Sequence, residues 1–231
     1  MTKKPNIPRH LGLILDGNRR WAEAHNLPSL EGHRKGYENL KTIVRAAMKR
    51  GVSCVSAYVF STENWERSKE EREYLMKLLV WVSKHELGEL HKEGIRIRFV
   101  GSRDRLSNKV LDAVERAEQK TKMNTRATIA FCFNYSGQQE IADAVKAIIR
   151  EGIPADKVKS DVIAQHLYAP DVPPVDLIIR TSGEQRLSNF MLWRAAYSEL
   201  YFVDKLWPDF SKADLDKALD DYAKRERRFG K

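Results

Sequence analysis

The chain of 231 residues has little cysteine and no long apolar run. No stretch approaches the roughly 18–20 apolar residues that a membrane-spanning helix needs, so a transmembrane protein is excluded. The two cysteines, Cys54 and Cys132, lie inside apolar runs and are predicted to be small buried thiols. CxxC and HExxH motifs are absent, so nothing in the sequence indicates a structural zinc site. The first residues lack the apolar stretch of a signal peptide, which predicts a cytoplasmic protein.

The charges are not balanced. Lysine and arginine outnumber aspartate and glutamate by 41 to 32, which gives a formal charge of +9. Such a surplus suits nucleic acid, an anionic lipid surface, or small molecules that carry phosphate, and charge alone does not choose between them. No RNA-recognition, zinc-finger or basic-heptad signature accompanies the basic residues. A hydrophobic share of 42% supplies a core, so we expect one folded domain over residues 1–231.

Short apolar runs alternate with amphipathic stretches along the chain. The runs predict strands at residues 10–15, 52–60, 95–100, 128–133 and 175–180. The main helical patterns cover about 33–50, about 69–93 with a bend at Gly88, and about 212–225. Strands separated by helices predict an α/β fold with a mostly parallel central sheet flanked by helices. Ligands of such sheets bind beyond the carboxyl ends of strands, which selects segments 16–21, 61–67 and 180–188.

The first of these segments fits half of a phosphate-binding loop. Gly12-Leu-Ile-Leu-Asp-Gly17 has the glycine spacing of that loop but lacks the Lys-Ser/Thr that would follow, so a standard NTPase is not indicated. A glycine turn that enters a helix presents backbone N–H groups to an anion, and Arg19 and Arg20 add charged donors. Asp16 would repel a bare phosphate unless a divalent cation lay between them. The sequence leaves open the alternative that Asp16 is an ordinary helix N-cap.

The segment 180–188 combines two arginines with hydroxyl groups directly after a strand. Arginine forks match phosphate oxygens, so this segment predicts a site for a second phosphate group. The alternative is a surface loop with internal salt bridges. The segment 61–67 supplies a hydroxyl, an amide, an aromatic ring and a cation, and says little by itself.

An apolar helix face accompanies the two predicted phosphate sites. It is formed by Leu75, Leu78, Leu79 and Val82. Beside two phosphate groups, such a face indicates a substrate with a charged head and an apolar tail. The alternative is that the same side chains only form core.

These segments, in this order, resemble the cis-prenyltransferase family, typified by undecaprenyl diphosphate synthase. The resemblance covers nearly the whole chain, from His10 to Gly230. Its motifs are Asp16-Gly-Asn-Arg-Arg-Trp-Ala22, Gly32-His33, Phe60-Ser-Thr-Glu-Asn-Trp65, Asn134-Tyr135, Arg180-Thr-Ser-Gly-Glu-Gln-Arg-Leu-Ser-Asn189, Glu199-Leu-Tyr-Phe202, Trp207-Pro-Asp-Phe210 and Arg225-Glu-Arg-Arg-Phe-Gly230.

The resemblance implies an activity and its partners. Members of the family condense isopentenyl diphosphate with an allylic diphosphate and extend the chain through new cis double bonds. The implied cofactor is Mg2+, and the implied fold is a single domain with a hydrophobic tunnel. A homodimer is expected in the cytoplasm, with contact to the membrane surface through the lipid product and no nucleic acid as partner.

The resemblance also implies roles for individual residues. Asp16 binds magnesium and helps the allylic diphosphate depart, and Glu199 is the second metal-site carboxylate. Asn64 is the second catalytic residue, which we interpret as positioning the proton transfer because a neutral amide is a poor base. Arg228 and Gly230 match a tail that reaches a neighbouring subunit's site. Substrate binding is implied for Gly17, Asn18, Arg19, Arg20, Trp21, Ser29, His33, Ser61, Thr62, Glu63, Trp65, Arg67, Arg180, Arg186, Leu187, Ser188, Arg228 and Gly230.

Some residues depart from the family pattern. Ser29 stands where an arginine commonly contacts the allylic diphosphate, whereas Arg19 stands where bacterial members usually have glycine. Asn134-Tyr-Ser-Gly-Gln138 replaces the usual Asn-Tyr-Gly-Gly-Arg. Val59 and Phe131 are bulky for positions near the expected tunnel, which leads us to expect a short or medium product.

Two other functions compete with this one. The first is a non-catalytic subunit that supports an active partner, and the second is a basic nucleic-acid-binding protein. Non-catalytic subunits tend to lose catalytic-site residues, whereas this chain keeps Asp16, Asn64, Arg180 and Arg186. A magnesium-dependent cis-prenyltransferase is therefore the leading prediction.

Overall fold

Six parallel strands form the centre of the molecule, which the computed structural model describes from residue 6 to residue 226. The strands are β1 (His10–Ile14), β2 (Cys54–Ser61), β3 (Ile95–Val100), β4 (Ala127–Tyr135), β5 (Leu177–Arg180) and β6 (Glu199–Phe202). They lie in the order β3-β4-β2-β1-β5-β6, and each neighbouring pair is parallel. The predicted single-domain α/β fold with a parallel central sheet is confirmed.

Helices flank this sheet. They are α1 (Asn18–Ala24), α2 (Ser29–Lys49), α3 (Lys69–His85), α4 (Leu87–Lys92), α5 (Asn108–Thr121), α6 (Gly137–Arg150), α7 (Ser160–His166) and α8 (Lys212–Lys224). Short 3-10 helices cover Thr62–Glu66, Ala155–Lys157 and Trp207–Asp209. Within residues 6–226, no helix is both long enough and apolar enough to cross a membrane.

Alternation along β1 divides the core between the two faces of the sheet. Leu11 and Leu13 are fully buried in a cluster with α2 and α8. The α2 side chains in this cluster are those of the predicted apolar face, Leu40, Ile43, Val44 and Ala47. Ile14 joins Ile178 and Phe190 in the cluster on the other face. Burying a leucine side chain stabilises the fold by about 1.5–3 kcal/mol, so these two layers hold the sheet between its helices.

The strand register brings the candidate segments to one edge of the sheet. Ile14 at the end of β1 is level with Arg180 at the end of β5 and with Tyr58 in β2. The chain therefore leaves β1, β2 and β5 on the same side, where Asp16, Arg180 and the turn after Ser61 follow. This placement agrees with the prediction that the site lies beyond the carboxyl ends of the strands.

Both cysteines are buried, as predicted, Cys54 in β2 and Cys132 in β4. Burial raises the pKa of the Cys54 thiol to about 12, so it stays protonated at neutral pH. Burial also raises the pKa of Cys132. Inert thiols of this kind act as small apolar side chains.

Several boundaries differ from the sequence prediction, and one strand was missed. Helix α2 begins at Ser29, four residues earlier than predicted, because Pro28 takes the non-helical backbone conformation of an N-cap residue. The long helical stretch breaks at Glu86 and not at Gly88, so it becomes α3 and α4. Strand β6 was not predicted, because four mixed residues at the edge of a sheet carry no clear alternation.

Candidate active site

Asp16 lies at the centre of the carboxyl edge, directly after β1. Its Oδ2 accepts a hydrogen bond from Arg180 Nη2 at 2.9 Å, and its Oδ1 lies 3.3 Å from Arg20 Nη2. Its backbone oxygen accepts from Thr181 Oγ1 at 2.7 Å. The N-cap of α1 is Gly17, with no side-chain cap. The alternative interpretation of Asp16 as a helix N-cap is therefore wrong, and the carboxylate faces arginines.

Glycines allow α1 and α2 to approach closely beside Asp16. Gly17 has φ +107°, a backbone conformation that residues with a side chain rarely adopt. A Cβ on Gly32 would lie 2.0 Å from Asn18 O, and one on Gly36 would lie 2.2 Å from Asn18 Oδ1. Asn18 is held in this crossing, and its buried Oδ1 has no hydrogen-bond partner among residues 6–226. Arg19 and Arg20, which follow it, are exposed.

Arg180 anchors the segment that follows β5. Its side chain is only 4% exposed, and Nη1 donates to Ser188 Oγ at 2.8 Å and to the Arg186 backbone oxygen. The exposed Arg186 pairs with Glu184 at 2.6 Å, and Glu184 also lies 3.6 Å from Arg20. Arginines from both predicted phosphate segments thus meet around Asp16 and Glu184. The alternative interpretation of segment 180–188, a surface loop with internal salt bridges, holds for Arg186, which pairs with Glu184. It does not hold for Arg180, which is buried and contacts Asp16.

Spare donors lie at the same place. Within the described residues, Arg180 Nε and Ser182 Oγ are buried and have no hydrogen-bond partner. Ser182 also has φ +82°, a strained conformation for a serine. Buried polar groups are almost always paired in folded proteins, so these two unpaired donors are exceptions close to the arginines of this edge.

The turn after β2 forms another wall of the site. Asn64 lies in the 3-10 helix Thr62–Glu66, and its Oδ1 accepts from the Ser61 backbone N–H at 3.2 Å. Trp65 Nε1 donates to Asn134 Oδ1 at 2.8 Å, and the Arg105 guanidinium lies over the Trp65 ring at 4.5 Å. These contacts fix the turn and hold the Asn64 side chain at the cleft.

A buried cluster connects α2 with α3 below that turn. His33 Nε2 lies 2.7 Å from Glu71 Oε1, and Arg67 Nη1 lies 2.9 Å from the same oxygen. Burial lowers the pKa of His33, which favours its neutral form. Burial alone would raise the pKa of Glu71, but the hydrogen bond from His33 and the charge of Arg67 lower it. Glu71 was not identified from the sequence; its spacing of four residues from Arg67 was the available signal.

An apolar cavity of about 170 Å³ opens beneath the polar edge. Its wall includes the predicted helix face, Leu75, Leu78, Leu79 and Val82, together with Val59 and Phe131 from the sheet. Leu15, Tyr58, Asn64 and Arg67 line both this cavity and the polar cleft above it. The structure therefore joins a charged edge to an apolar interior, although it does not show a through tunnel.

Glu199 lies away from Asp16. It is the first residue of β6, level with Leu177, and its Oε2 accepts from Arg225 Nη1 at 2.8 Å. Arg180 is three residues further along β5, a rise of roughly 10 Å, and Asp16 lies beyond that level. Among residues 6–226, no group of three or more metal-ligating side chains is found. The described chain thus does not bring the two predicted metal ligands together.

The other predicted substrate residues occupy different positions. Trp21 Nε1 donates to Asp209 Oδ1 at 2.8 Å, and its ring stacks on His25. Ser29 is exposed at the start of α2. Glu63 and Leu187 line the polar cleft, and Thr62 begins the 3-10 helix that contains Glu63. Arg228 and Gly230 lie outside the described residues.

The chain is similar to known proteins over almost its whole length. Residues 14–230 match the family model described as putative undecaprenyl diphosphate synthase. An isoprenyl transferase of Thermotoga maritima is 48% identical over 97% of both chains. A trans,polycis-polyprenyl diphosphate synthase of Thermobifida fusca, specific for (2Z,6E)-farnesyl diphosphate, is 45% identical over 97% of this chain and 81% of its own length.

A solved structure shares the fold. Lavandulyl diphosphate synthase from Lavandula x intermedia, in complex with dimethylallyl diphosphate, superposes with a TM-score of 0.90 at 34% identity. The match covers 97% of this chain and 99% of that one. Because the family model matches most of the chain and the relatives are similar over nearly its full length, this chain belongs to the undecaprenyl diphosphate synthase family of cis-prenyltransferases.

Proposed function

We propose that this cis-prenyltransferase condenses isopentenyl diphosphate with an allylic prenyl diphosphate to make a Z-polyprenyl diphosphate. One observation carries the proposal: Leu15, Tyr58, Asn64 and Arg67 line both the arginine-rich cleft and the apolar cavity. A substrate with a diphosphate head and an isoprenoid tail fits this junction, because the head meets cations while the tail leaves water.

The two diphosphates occupy different parts of the edge in this proposal. The turn of Gly17 and Asn18, with Arg19 and Arg20, holds the allylic diphosphate. Arg180, Arg186 and Ser188 hold isopentenyl diphosphate, supported by the Arg180 contact to Ser188 at 2.8 Å. The Glu184 carboxylate lies between Arg20 and Arg186, so these two arginines already pair with a negative charge at this edge. His33, Trp65 and Arg67 complete the wall between the head groups and the cavity.

Asp16 fits a magnesium ion that is shared with the substrate. Mg2+ is usually bound by one or two carboxylates together with phosphate oxygens and waters, so a single carboxylate at the diphosphate turn suffices. The ion would supply charge neutralisation to the departing diphosphate. Glu199 does not share this edge within the described chain, so Asp16 is the residue we assign to the metal.

Asn64 orients isopentenyl diphosphate during condensation. The bond between the allylic carbon and its diphosphate breaks, a carbon–carbon bond forms, and a proton leaves the isopentenyl unit. Asn64 accepts from the Ser61 N–H and cannot act as a strong base, so it positions that proton while the departing diphosphate accepts it.

The assembly follows from the family resemblance. A homodimer in the cytoplasm, with Arg228 and Gly230 reaching the neighbouring subunit's site, would complete each cleft. Its lipid product would bring it to the membrane surface. Mixing Asp16→Ala with Arg228→Ala protein tests this arrangement. Activity should return after subunit exchange, and its absence would contradict a shared site.

Radiolabelled isopentenyl diphosphate tests the function directly. Purified chain, several allylic primers and Mg2+ should give labelled polyprenyl diphosphates on chromatography, and EDTA should abolish them. No incorporation with any primer would overturn the enzyme assignment for the isolated chain and would favour the non-catalytic partner subunit. Retention of Asp16, Asn64, Arg180 and Arg186 supports the enzyme.

A further inference from the structure

Asn189 closes the amino end of α6. Its backbone oxygen accepts from the Gly137 N–H at 2.8 Å, and its side-chain Oδ1 accepts from the Gln138 N–H at 2.9 Å. These donors lie in the first turn of a helix, where N–H groups have no partner within the helix itself. A Cβ on Gly137 would lie 2.8 Å from Asn189 O, so glycine is needed for this close approach.

The amide nitrogen of Asn189 reaches two further segments. Nδ2 donates to Ser136 Oγ at 2.6 Å and to Glu63 Oε1 at 3.3 Å. Ser136 precedes α6, and Glu63 belongs to the turn after β2. One side chain thus joins the segments that follow β2, β4 and β5.

The segment that Asn189 anchors is strained. Ser188, Asn189 and Met191 have φ values of +47°, +68° and +44°. Left-handed conformations of this kind persist only where surrounding contacts hold them, and asparagine tolerates them better than most residues. Ser188 Oγ is also the group that Arg180 Nη1 contacts. The conformation of the Arg186–Ser188 segment therefore depends on an anchor beside it.

We propose that Asn189 is a positioning residue for isopentenyl diphosphate binding. Its amide holds Arg186 and Ser188 beside Arg180 by tying their segment to α6 and to Glu63. In this role Asn189 acts through these hydrogen bonds and not through a contact of its own with a substrate. This inference rests on the proposed function, because it takes Arg186 and Ser188 as the isopentenyl diphosphate contacts.

Asn189→Gly is the main test. Glycine keeps the positive φ but removes all the side-chain hydrogen bonds, so the KM for isopentenyl diphosphate should rise roughly tenfold. The KM for the allylic primer and kcat should change less than about twofold. Asn124→Gly is the matched control, because Asn124 Nδ2 donates to Ile95 O at 2.7 Å at the opposite edge of the sheet. It should lower the thermal midpoint without changing either KM.

Asn189→Asp separates positioning from folding. The substitution keeps an acceptor for the Gln138 N–H but sets a carboxylate against Glu63, so the KM for isopentenyl diphosphate should again rise. Adding Glu63→Gln should recover much of that loss, since the new glutamine amide donates to the introduced carboxylate in place of the lost contact. A purely structural role would change the thermal midpoint of the two variants and would not change the KM for isopentenyl diphosphate relative to that for the allylic primer.

Calorimetric binding of inorganic diphosphate gives a readout without turnover. Asn189→Gly should weaken this binding about tenfold, in step with the KM. If the wild type is active and Asn189→Gly changes neither constant, the positioning role is wrong. If the wild type incorporates no isopentenyl diphosphate but the variant still weakens diphosphate binding, the proposed function fails, while the role of Asn189 in positioning a diphosphate site stands.

Discussion

Arg180 donates from Nη2 to Asp16 Oδ2 at 2.9 Å and so joins the ends of β5 and β1. The guanidinium is 4% exposed, whereas the carboxylate is 28% exposed. The arginine is therefore largely enclosed at the wall of the polar cleft, and the carboxylate is the more exposed member of the pair. Breaking such a pair by removing one partner leaves a buried charge uncompensated, so variants at Asp16 must separate charge from hydrogen bonding.

Asp16→Ala and Asp16→Asn are expected to abolish turnover while keeping the secondary structure, with the larger loss of stability in Asp16→Ala because it leaves Arg180 without this partner. The asparagine keeps an acceptor for Arg180 but loses the charge that would hold a metal beside the diphosphate. We expect kcat to fall about 100-fold or more in both variants. Circular dichroism should show unchanged secondary structure. A near wild-type rate for Asp16→Asn would refute the metal assignment.

Arg19 is expected to compensate for Ser29. Burial lowers the pKa of Arg67, and the charge of Arg19 adds to this effect, which places Arg19 towards the head-group wall. An arginine fork donates charged hydrogen bonds worth about 1.5–3 kcal/mol, while a serine offers one neutral donor. Arg19→Gly should thus weaken binding of a non-hydrolysable allylic analogue about 10- to 150-fold.

Adding Ser29→Arg should restore much of that affinity, and isopentenyl diphosphate binding should barely change. Dissociation constants for the two ligands decide the question. If Arg19→Gly left the affinity for the allylic analogue unchanged, or if Ser29→Arg did not restore a lost affinity, Arg19 would not compensate for Ser29.

Phe131 is expected to limit product length. It lines the apolar cavity, and its ring lies 5.6 Å from that of Phe99. Protein interiors are closely packed, so a bulky ring in the cavity wall limits the length of an isoprenoid tail. Phe131→Ala should enlarge the cavity and shift the products towards longer chains. Chromatography of labelled products measures the shift. Ile43→Ala is the control: it removes buried volume in the α2 core away from the cavity, and the same shift there would remove the steric explanation.

His10 makes the fold sensitive to acid. Its ring is fully buried, with Nδ1 2.8 Å from Pro173 O and Nε2 2.7 Å from Ser56 Oγ, contacts that suit the neutral imidazole. Burial lowers its pKa from 6.5 to about 4. Between these values the unfolded chain binds more protons, so the stability contributed by His10 is present above pH 6.5 and is lost as the pH falls towards 4.

The free energy of unfolding should therefore drop by about 2 kcal/mol from this residue between about pH 7 and about pH 5. Urea titrations at both pH values measure it. His10→Gln, which cannot titrate, should show a smaller drop than the wild type; equal drops for the two proteins would assign the acid sensitivity to other groups.

The sequence by itself determined the parts of this protein that local chemistry specifies. Apolar runs and helical periodicity located five of the six strands and the main helices, because those patterns are set by neighbours along the chain. The glycine turn before Arg19 and the arginine pair of segment 180–188 indicated phosphate binding, since the side chains carry that chemistry wherever they lie. The family motifs then specified the reaction.

Only the tertiary structure decided which of these residues meet. Strand β6 forms because β5 offers an edge to pair with, and its register sets Glu199 roughly 10 Å from the level of Arg180, so that carboxylate cannot join Asp16 within the described chain. The Glu71–His33 contact and the four hydrogen bonds of Asn189 connect segments far apart in sequence. Such contacts depend on packing distances that no local pattern encodes, because sequence spacing fixes a residue's face and not its partner across the fold.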